Sequence, residues 1–139
     1  MTGKPSIAFV MISWAVLGVG VTAYLVGLWN SGMELNEKGY YLIVLMYGLF
    51  SAVSVQKSVR DRLEGIPVTN IYYGISWASA ASAIVLLGVG LINNAGLEAS
   101  EKGFFAIGFL MSLFAAVAVQ KNTRDMQDVQ TQNSDTSLR

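Results

Sequence analysis

Residues 39–56 read GYYLIVLMYGLFSAVSVQ and residues 103–120 read GFFAIGFLMSLFAAVAVQ, two stretches of 18 residues without a charged side chain. An α-helix of this length rises about 27 Å, close to the roughly 30 Å thickness of the hydrocarbon core of a bilayer. Neither stretch has a polar face wide enough for contact with water, which a helix on the surface of a soluble bundle would need. Both stretches are therefore predicted to be transmembrane helices.

Two longer charge-free runs, residues 5–33 and 65–97, precede these stretches and are 29 and 33 residues long. The first is about twice as long as the apolar region of a signal peptide, so it is predicted to be retained. The sequence thus predicts an all-α polytopic membrane protein with four spans. We place them near residues 7–30, 39–58, 69–93 and 103–121.

The composition excludes several classes of protein. The 139 residues include nine basic and nine acidic side chains but no histidine or cysteine, so thiolate and imidazole chemistry is absent. Only 13% of residues are charged, about half the usual share for a soluble domain, and no basic cluster is large enough for nucleic acid. No catalytic residue, cofactor or metal site is predicted. Apart from Lys57 and Lys121 at the inner ends, no aspartate, glutamate, lysine, arginine or histidine lies inside a predicted span, which disfavours ion-coupled transport.

The chain contains an internal repeat. Residues 30–61 match residues 94–125 at an offset of 64, with 16 of 32 positions identical. This repeat predicts two tandem helical hairpins, and because each has an even number of spans, a pseudo-two-fold axis should lie along the membrane normal. We assign residues 1–63 to the first hairpin, 64–127 to the second and 128–139 to a polar tail, which we expect to be mobile.

The basic residues predict the orientation of the chain. Lys38 and Lys102 fall in the turns on one side, where they are accompanied by acidic residues, and seven basic residues fall on the other. Because cytoplasmic loops are enriched in lysine and arginine, both termini are predicted to be cytoplasmic. The seven are Lys4, Lys57, Arg60, Arg62, Lys121, Arg124 and Arg139.

The two outer turns share a motif of acid, lysine and glycine. It consists of Glu37, Lys38 and Gly39 in the first turn and Glu101, Lys102 and Gly103 in the second. We interpret these turns through backbone geometry. Gly32 and Gly96 are expected to adopt the left-handed conformation that ends a helix, and Asn36 and Ser100 to cap the next helix.

The alternative for the outer turns is a site for a divalent cation or a cationic ligand. Its ligands would come from both repeats, where the two turns converge. Exposed carboxylates without a rigid cage bind cations weakly, so the geometric interpretation is preferred. The candidate ligands are Glu34, Glu37, Glu98 and Glu101.

The inner ends of the second and fourth spans carry the same polar set. Its members are Gln56, Lys57, Arg60 and Asp61 in the first unit and Gln120, Lys121, Arg124 and Asp125 in the second. Their spacing places each lysine, arginine and aspartate on one helical face. We interpret the set as a topological anchor in which lysine pairs with aspartate and reaches lipid phosphates. The alternative is a docking site for a cytoplasmic protein.

Small residues recur about every fourth position in the second and fourth spans. This small-residue stripe consists of Gly48, Ala52, Gly108, Ser112 and Ala116. Such residues allow close approach of helices in a bilayer, so the stripe predicts helix packing within or between chains. The alternative is a lining for a pathway. Gln56 and Gln120 continue the stripe and are expected to hydrogen-bond to other helices.

The paired segments at residues 30–41 (NSGMELNEKGYY) and 93–105 (NNAGLEASEKGFF) are each followed by a span that ends in VQKSVRD or VQKNTRD. In these motifs the chain resembles the YiaA/YiaB two-helix domain family of bacterial inner-membrane proteins, over roughly residues 7–126. The resemblance implies an inner-membrane location and a duplicated hairpin. It implies no biochemical activity.

The sequence therefore predicts an integral protein of the bacterial inner membrane that is not an enzyme. We expect a structural or interaction protein whose partners are the lipid bilayer and further copies of itself. The alternative is a small facilitator or oligomeric channel for an uncharged or weakly charged solute. One four-helix chain is too thin to enclose a pore, so a channel would require several copies.

Overall fold

The computed structural model describes residues 3–138, and all of its regular structure there is helical. The four helices are α1 (Ile7–Trp29), α2 (Leu35–Leu63), α3 (Asn70–Asn93) and α4 (Ala99–Ser137). Each is long and apolar enough to cross a membrane, which confirms the predicted all-α polytopic class. α2 and α4 extend past both ends of their predicted spans, because the polar residues beside the apolar stretches continue the helix.

α1 and α3 begin at side chains that accept from backbone N–H groups of the first helical turn. Ser6 caps α1 by accepting from the Phe9 amide at 3.2 Å, and Thr69 caps α3 in the same way. The predicted caps of α2 and α4 were wrong, since the two helices begin at Leu35 and Ala99. Their N-cap residues are glutamates, which place a carboxylate at the positive end of the helix dipole.

A glycine, Gly65, follows the end of α2 in the linker between the repeats. Gly65 has φ +76°, its amide donates to Arg62 at 3.2 Å, and the Ile66 amide donates to Asp61 at 2.8 Å. This pair of bonds is a Schellman motif, which requires a left-handed residue after the helix. The expectation that Gly32 and Gly96 adopt this conformation was wrong, because Gly65 is the one residue with positive φ among those described.

The helices exchange partners between the two repeats. α1 packs mainly against α4, α3 packs mainly against α2, and α2 and α4 contact each other in the centre. Within each hairpin the two helices touch little, so the spatial order is α1, α4, α2, α3. The two hairpins are therefore units of sequence that are packed into one bundle.

Equivalent contacts recur in both halves of the bundle. Asn122 of α4 donates to Ser13 of α1 at 3.3 Å, and Ser58 of α2 lies 3.4 Å from Ser76 of α3, hydroxyl to hydroxyl. Ser58 and Asn122 occupy the same repeat position, as do Ser13 and Ser76. Such reciprocal contacts relate the two units by an approximate two-fold rotation.

α4 continues as a helix to Ser137, through the segment that the sequence assigns to a polar tail. Hydroxyls at Thr131 and Thr136 donate to the carbonyls four residues earlier, at 3.0 and 2.9 Å. The tail is thus helical, although it has few apolar residues to bury. Its mobility stays a prediction, and Arg139 lies outside the described residues.

Candidate functional site

Eight charged side chains meet at the inner ends of α2 and α4, and we call this group the inner charge cluster. α2 ends at Leu63 with Glu64 as its C-cap, and α4 runs alongside, so both helices deliver their charges to the same level. The cluster contains four positive and four negative groups, and it is neutral as a whole. Its members are Lys57, Arg60, Asp61, Glu64, Lys121, Arg124, Asp125 and Asp128.

The two aspartates are held in the same way. Asp61 accepts from Lys57 of its own helix at 2.8 Å and from Arg124 of α4 at 2.6 Å. Asp125 accepts from Lys121 at 2.8 Å and from Arg60 of α2. Each carboxylate is thus bound by one lysine in its own helix and one arginine in the other helix.

A further layer of the cluster uses two acids that the sequence prediction missed. Glu64 binds Arg60 at 2.9 Å and Arg124 at 2.8 Å, and Asp128 binds Arg60 at 3.2 Å. Glu64 and Asp128 are repeat equivalents, each four residues after its arginine. That spacing, which favours ion pairs in a helix, was the signal that could have found them.

The cluster is buried at its centre and open at its edge. The side chains of Asp61, Asp125 and Arg60 are 6%, 5% and 9% exposed, whereas those of Lys57 and Lys121 are about half exposed. Pairing offsets much of the desolvation cost of charges in such a place, but one left without its partner destabilises the fold strongly. The arrangement fixes α2 to α4, and only the lysines remain free to reach lipid phosphates or another molecule.

Hydrogen bonding from Arg60 is the largest cause that lowers the pKa of Glu64 below its usual range. A carboxylate with a lowered pKa contributes to stability in full above its ordinary pKa. That contribution is lost as the pH falls through the lowered value. Because the Glu64 side chain is a quarter exposed, solvent reduces the effect.

The small-residue stripe lies inside the bundle. Ser112 is fully buried, and Ala52 and Ala116 are 6% and 5% exposed. A Cβ atom built on Gly48 would lie 2.7 Å from the ring of Phe109, so glycine allows the close approach of α2 and α4 there. Gln56 and Gln120, by contrast, make none of the side-chain hydrogen bonds that we predicted among the described residues.

The outer turns converge around an open cavity of about 840 Å³. Glu34, Glu37 and Glu101 line it, but Glu98 does not. In the part of the chain that the structure describes, no three acidic side chains form a group that could hold a metal ion. Glu101 instead accepts from the Glu98 amide at 3.2 Å at the start of α4.

Lys38, the lysine of the first outer turn, binds the C-terminal end of α1. Lys38 Nζ donates to the carbonyl of Trp29 at 3.1 Å and lies 5.8 Å from the centre of its ring. A cation at a helix C-terminus is favourable because it meets the negative end of the dipole. The contact ties the end of α1 to the first turns of α2.

Four apolar helices in two interleaved, related units, with charges confined to the helix ends, define a duplicated multi-pass membrane protein. The chain belongs to the yiaA/B two helix domain family, which matches residues 9–61 and 72–125. The two matches correspond to the two repeat units. The resemblance inferred from the sequence motifs is thereby confirmed.

Two relatives illustrate the family. The chain is 57% identical over 118 residues to the inner membrane protein YiaA of Escherichia coli, covering 85% of this chain and 81% of that protein. It is 37% identical over 62 residues to the uncharacterized membrane protein YubF of Bacillus subtilis, covering 44% of this chain and 71% of that protein. The second match is about as long as one repeat unit. No solved structure matches the chain.

Proposed function

We propose that the protein is a non-enzymatic structural or interaction protein of the bacterial inner membrane that self-associates through α3. The single observation that carries the proposal is the exposure of Gly74, Ala78 and Ser82, which follow one another at every fourth position of α3. Small residues at this spacing let two helices approach closely in lipid. The equivalent positions of α1 hold Met11, Ala15 and Val19, so the first repeat does not offer the same run of three small residues there.

The small-residue stripe of α2 and α4 supports an interaction protein over a channel. Ser112 and Ala52 are buried against neighbouring helices of the same chain, so they are already used in packing. The alternative of an oligomeric channel for a weakly charged solute requires this stripe to face water. No cavity or contact described above favours it.

Cysteine cross-linking in native membranes tests the self-association, because the chain has no cysteine of its own. We expect Ala78→Cys to form a disulfide-linked dimer upon oxidation. Ala15→Cys, at the equivalent position of α1, is the matched control and should stay monomeric. Equal cross-linking at both positions, or none at Ala78→Cys, would contradict an interface on α3.

The basic residues support cytoplasmic termini. The end of the bundle that carries the termini also carries four basic residues of the inner charge cluster, Lys57, Arg60, Lys121 and Arg124. The positive-inside rule counts lysine and arginine even when they are paired with acids. A reporter fused after Arg139 should be active only in its cytoplasmic form. Activity of a periplasmic reporter at that position would reverse the proposed orientation.

A further inference from the structure

A cavity of about 270 Å³, lined by both polar and apolar side chains, lies between α1 and α4 at the end of the bundle that carries the termini. Val10 and Trp14 of α1 line one side, and Asn122, Thr123 and Gln127 of α4 line the other. It is separate from the outer cavity and from the residues of the inner charge cluster. We call it the inner cavity.

Asn122 leaves a polar atom without a partner at this cavity. The residue is 3% exposed, and its Oδ1 makes no hydrogen bond among the described residues. Its Nδ2 donates to the Ser13 hydroxyl, which in turn donates to the Phe9 carbonyl at 2.7 Å. Turning the amide round would let the Ser13 hydroxyl donate to the oxygen, but it would leave Nδ2 without an acceptor and break the bond to the Phe9 carbonyl. The orientation with the unpaired oxygen therefore keeps more hydrogen bonds, and a buried acceptor of this kind calls for a donor from a water, an ion or a bound molecule.

An apolar groove of about 460 Å³ borders the inner cavity. Trp14 lines both spaces, and Leu17 and Val21 extend the groove along the same face of α1 toward the middle of the bundle. Leu49 and Val53 of α2 form the opposite wall. The groove exists because α1 packs on α4 and makes little contact with α2.

We propose that the inner cavity and the groove together bind one phospholipid whose headgroup donates a hydrogen bond to Asn122 Oδ1. The groove is apolar along its length and takes an acyl chain. The inner cavity, which Asn122, Thr123 and Gln127 line with polar groups, takes the headgroup in the leaflet on the side of the termini. Phosphatidylethanolamine fits this chemistry, since its ammonium carries three donors. Phosphatidylcholine carries none. The proposal rests on the membrane location alone and not on self-association.

The second repeat supplies a built-in comparison. Ser58 occupies the position of Asn122 there, and its hydroxyl is satisfied because it donates to the Ser54 carbonyl at 2.8 Å. Trp77 occupies the position of Trp14, and the two rings are similarly exposed, at 49% and 56%. The second repeat thus has the tryptophan without the unpaired acceptor.

Quenching of tryptophan fluorescence by lipids brominated on their acyl chains measures the binding. One variant, Trp29→Phe with Trp77→Phe, leaves only Trp14, and another, Trp14→Phe with Trp29→Phe, leaves only Trp77. Each is reconstituted into phosphatidylcholine vesicles that contain brominated phosphatidylethanolamine or brominated phosphatidylcholine. We expect Trp14 to prefer phosphatidylethanolamine by roughly fivefold, the value of about one net hydrogen bond. Trp77 should show no preference.

Two substitutions decide between the proposal and its alternatives. Asn122→Ser copies the second repeat and should abolish the preference at Trp14, while Gly18→Leu fills the groove and should weaken quenching by both lipids. The proposal is overturned if Trp14 still prefers phosphatidylethanolamine in Asn122→Ser, or if the two lipids quench Trp14 equally in the protein with Asn122. Either result would indicate that water, and not a lipid headgroup, binds the Asn122 oxygen. If Asn122→Ser fails to fold, unchanged quenching in Gly18→Leu overturns it as well.

Discussion

Asp61 and Asp125 are buried carboxylates, and each depends on an arginine from the other repeat. Their charges are tolerated only because lysine and arginine surround them. An arginine or aspartate without its partner would be an uncompensated charge at the junction of α2 and α4. Individual side chains here determine whether the two halves of the molecule stay together.

Replacing either aspartate should therefore have the same effect. Asp61→Asn and Asp125→Asn should each reduce the free energy of unfolding by about 1 to 3 kcal/mol, because each removes the most buried carboxylate that an arginine of the other helix binds. Glu64 remains on both arginines and Asp128 on Arg60, which limits the loss. Unfolding of the purified protein in detergent, followed by circular dichroism, measures the loss. Asp135→Asn, in the exposed tail, is the control and should change little. A large effect at only one of the two aspartates would contradict the reciprocal arrangement.

A second prediction for a single residue concerns Gly48. Gly48→Ala should destabilise the protein by about 1 to 3 kcal/mol, since the new methyl group meets the fully buried ring of Phe109. Gly39→Ala, in the same helix, meets no side chain within 4 Å in the described structure, and it should be neutral or stabilising by up to about 1 kcal/mol. Thermal unfolding in one detergent compares the two. Similar behaviour of both variants would mean that α2 and α4 are less closely packed.

At the scale of helices, the exchange of partners between hairpins is the main feature. α1 and α3 lie on the outside of the bundle, and each packs on the second helix of the other repeat. The repeat unit would suggest that α2 pairs with α1, the other helix of its hairpin, although linkers of similar length, residues 30–34 and 64–69, join α2 to α1 and to α3. The structure pairs it with α3 and α4.

Disulfide cross-linking distinguishes these two arrangements. Ser58→Cys with Ser76→Cys should form an intramolecular disulfide, because the two hydroxyls lie 3.4 Å apart between α2 and α3. Ser58→Cys with Ser13→Cys, which joins α2 to α1, is the control and should remain reduced. A shift in mobility after protease cleavage of the linker at residues 65–68 reports the bond. Efficient cross-linking in the control pair would support conventional hairpins.

The sequence predicted the helices better than their contacts. Four spans followed from charge-free runs, since a bilayer excludes unpaired charges from its interior. The exchange of α1 and α3 could not be predicted, because apolar faces such as those around Trp14 and Trp77 do not encode which helix they meet. Pairing of Lys57 with Asp61 was predictable from spacing within one helix. Pairing of Arg60 with Asp125 was not, since it depends on the position of another helix.

In the whole molecule, each repeat unit makes its main helix contacts with the other unit. We predict that residues 1–66 and residues 67–139, expressed as separate chains in one cell, associate and co-purify, because the main contacts of α1 and α3 lie across the break. Asp125→Arg in the second half should prevent co-purification by opposing Arg60. Adding Arg60→Asp in the first half should restore it.

Failure of the unmodified halves to associate, when each is inserted in the membrane, would contradict interleaved packing. Association that is indifferent to Asp125→Arg would show that the inner charge cluster is not needed to join the halves. The match to the Bacillus subtilis protein is about as long as one repeat unit. The experiment therefore also tests whether separate chains with one unit each can pair, which bears on such relatives.

The exchange of helices also sets the order of events during biosynthesis. α1 leaves the ribosome before α2, α3 and its main partner α4 have been made. Throughout translation α1 must therefore remain in the lipid with one face unmatched, and a chain truncated before residue 99 never acquires that contact. The main contact of α1 thus forms only after α4 has been made, so a product truncated before α4 is distinguishable from a longer one by the exposure of α1.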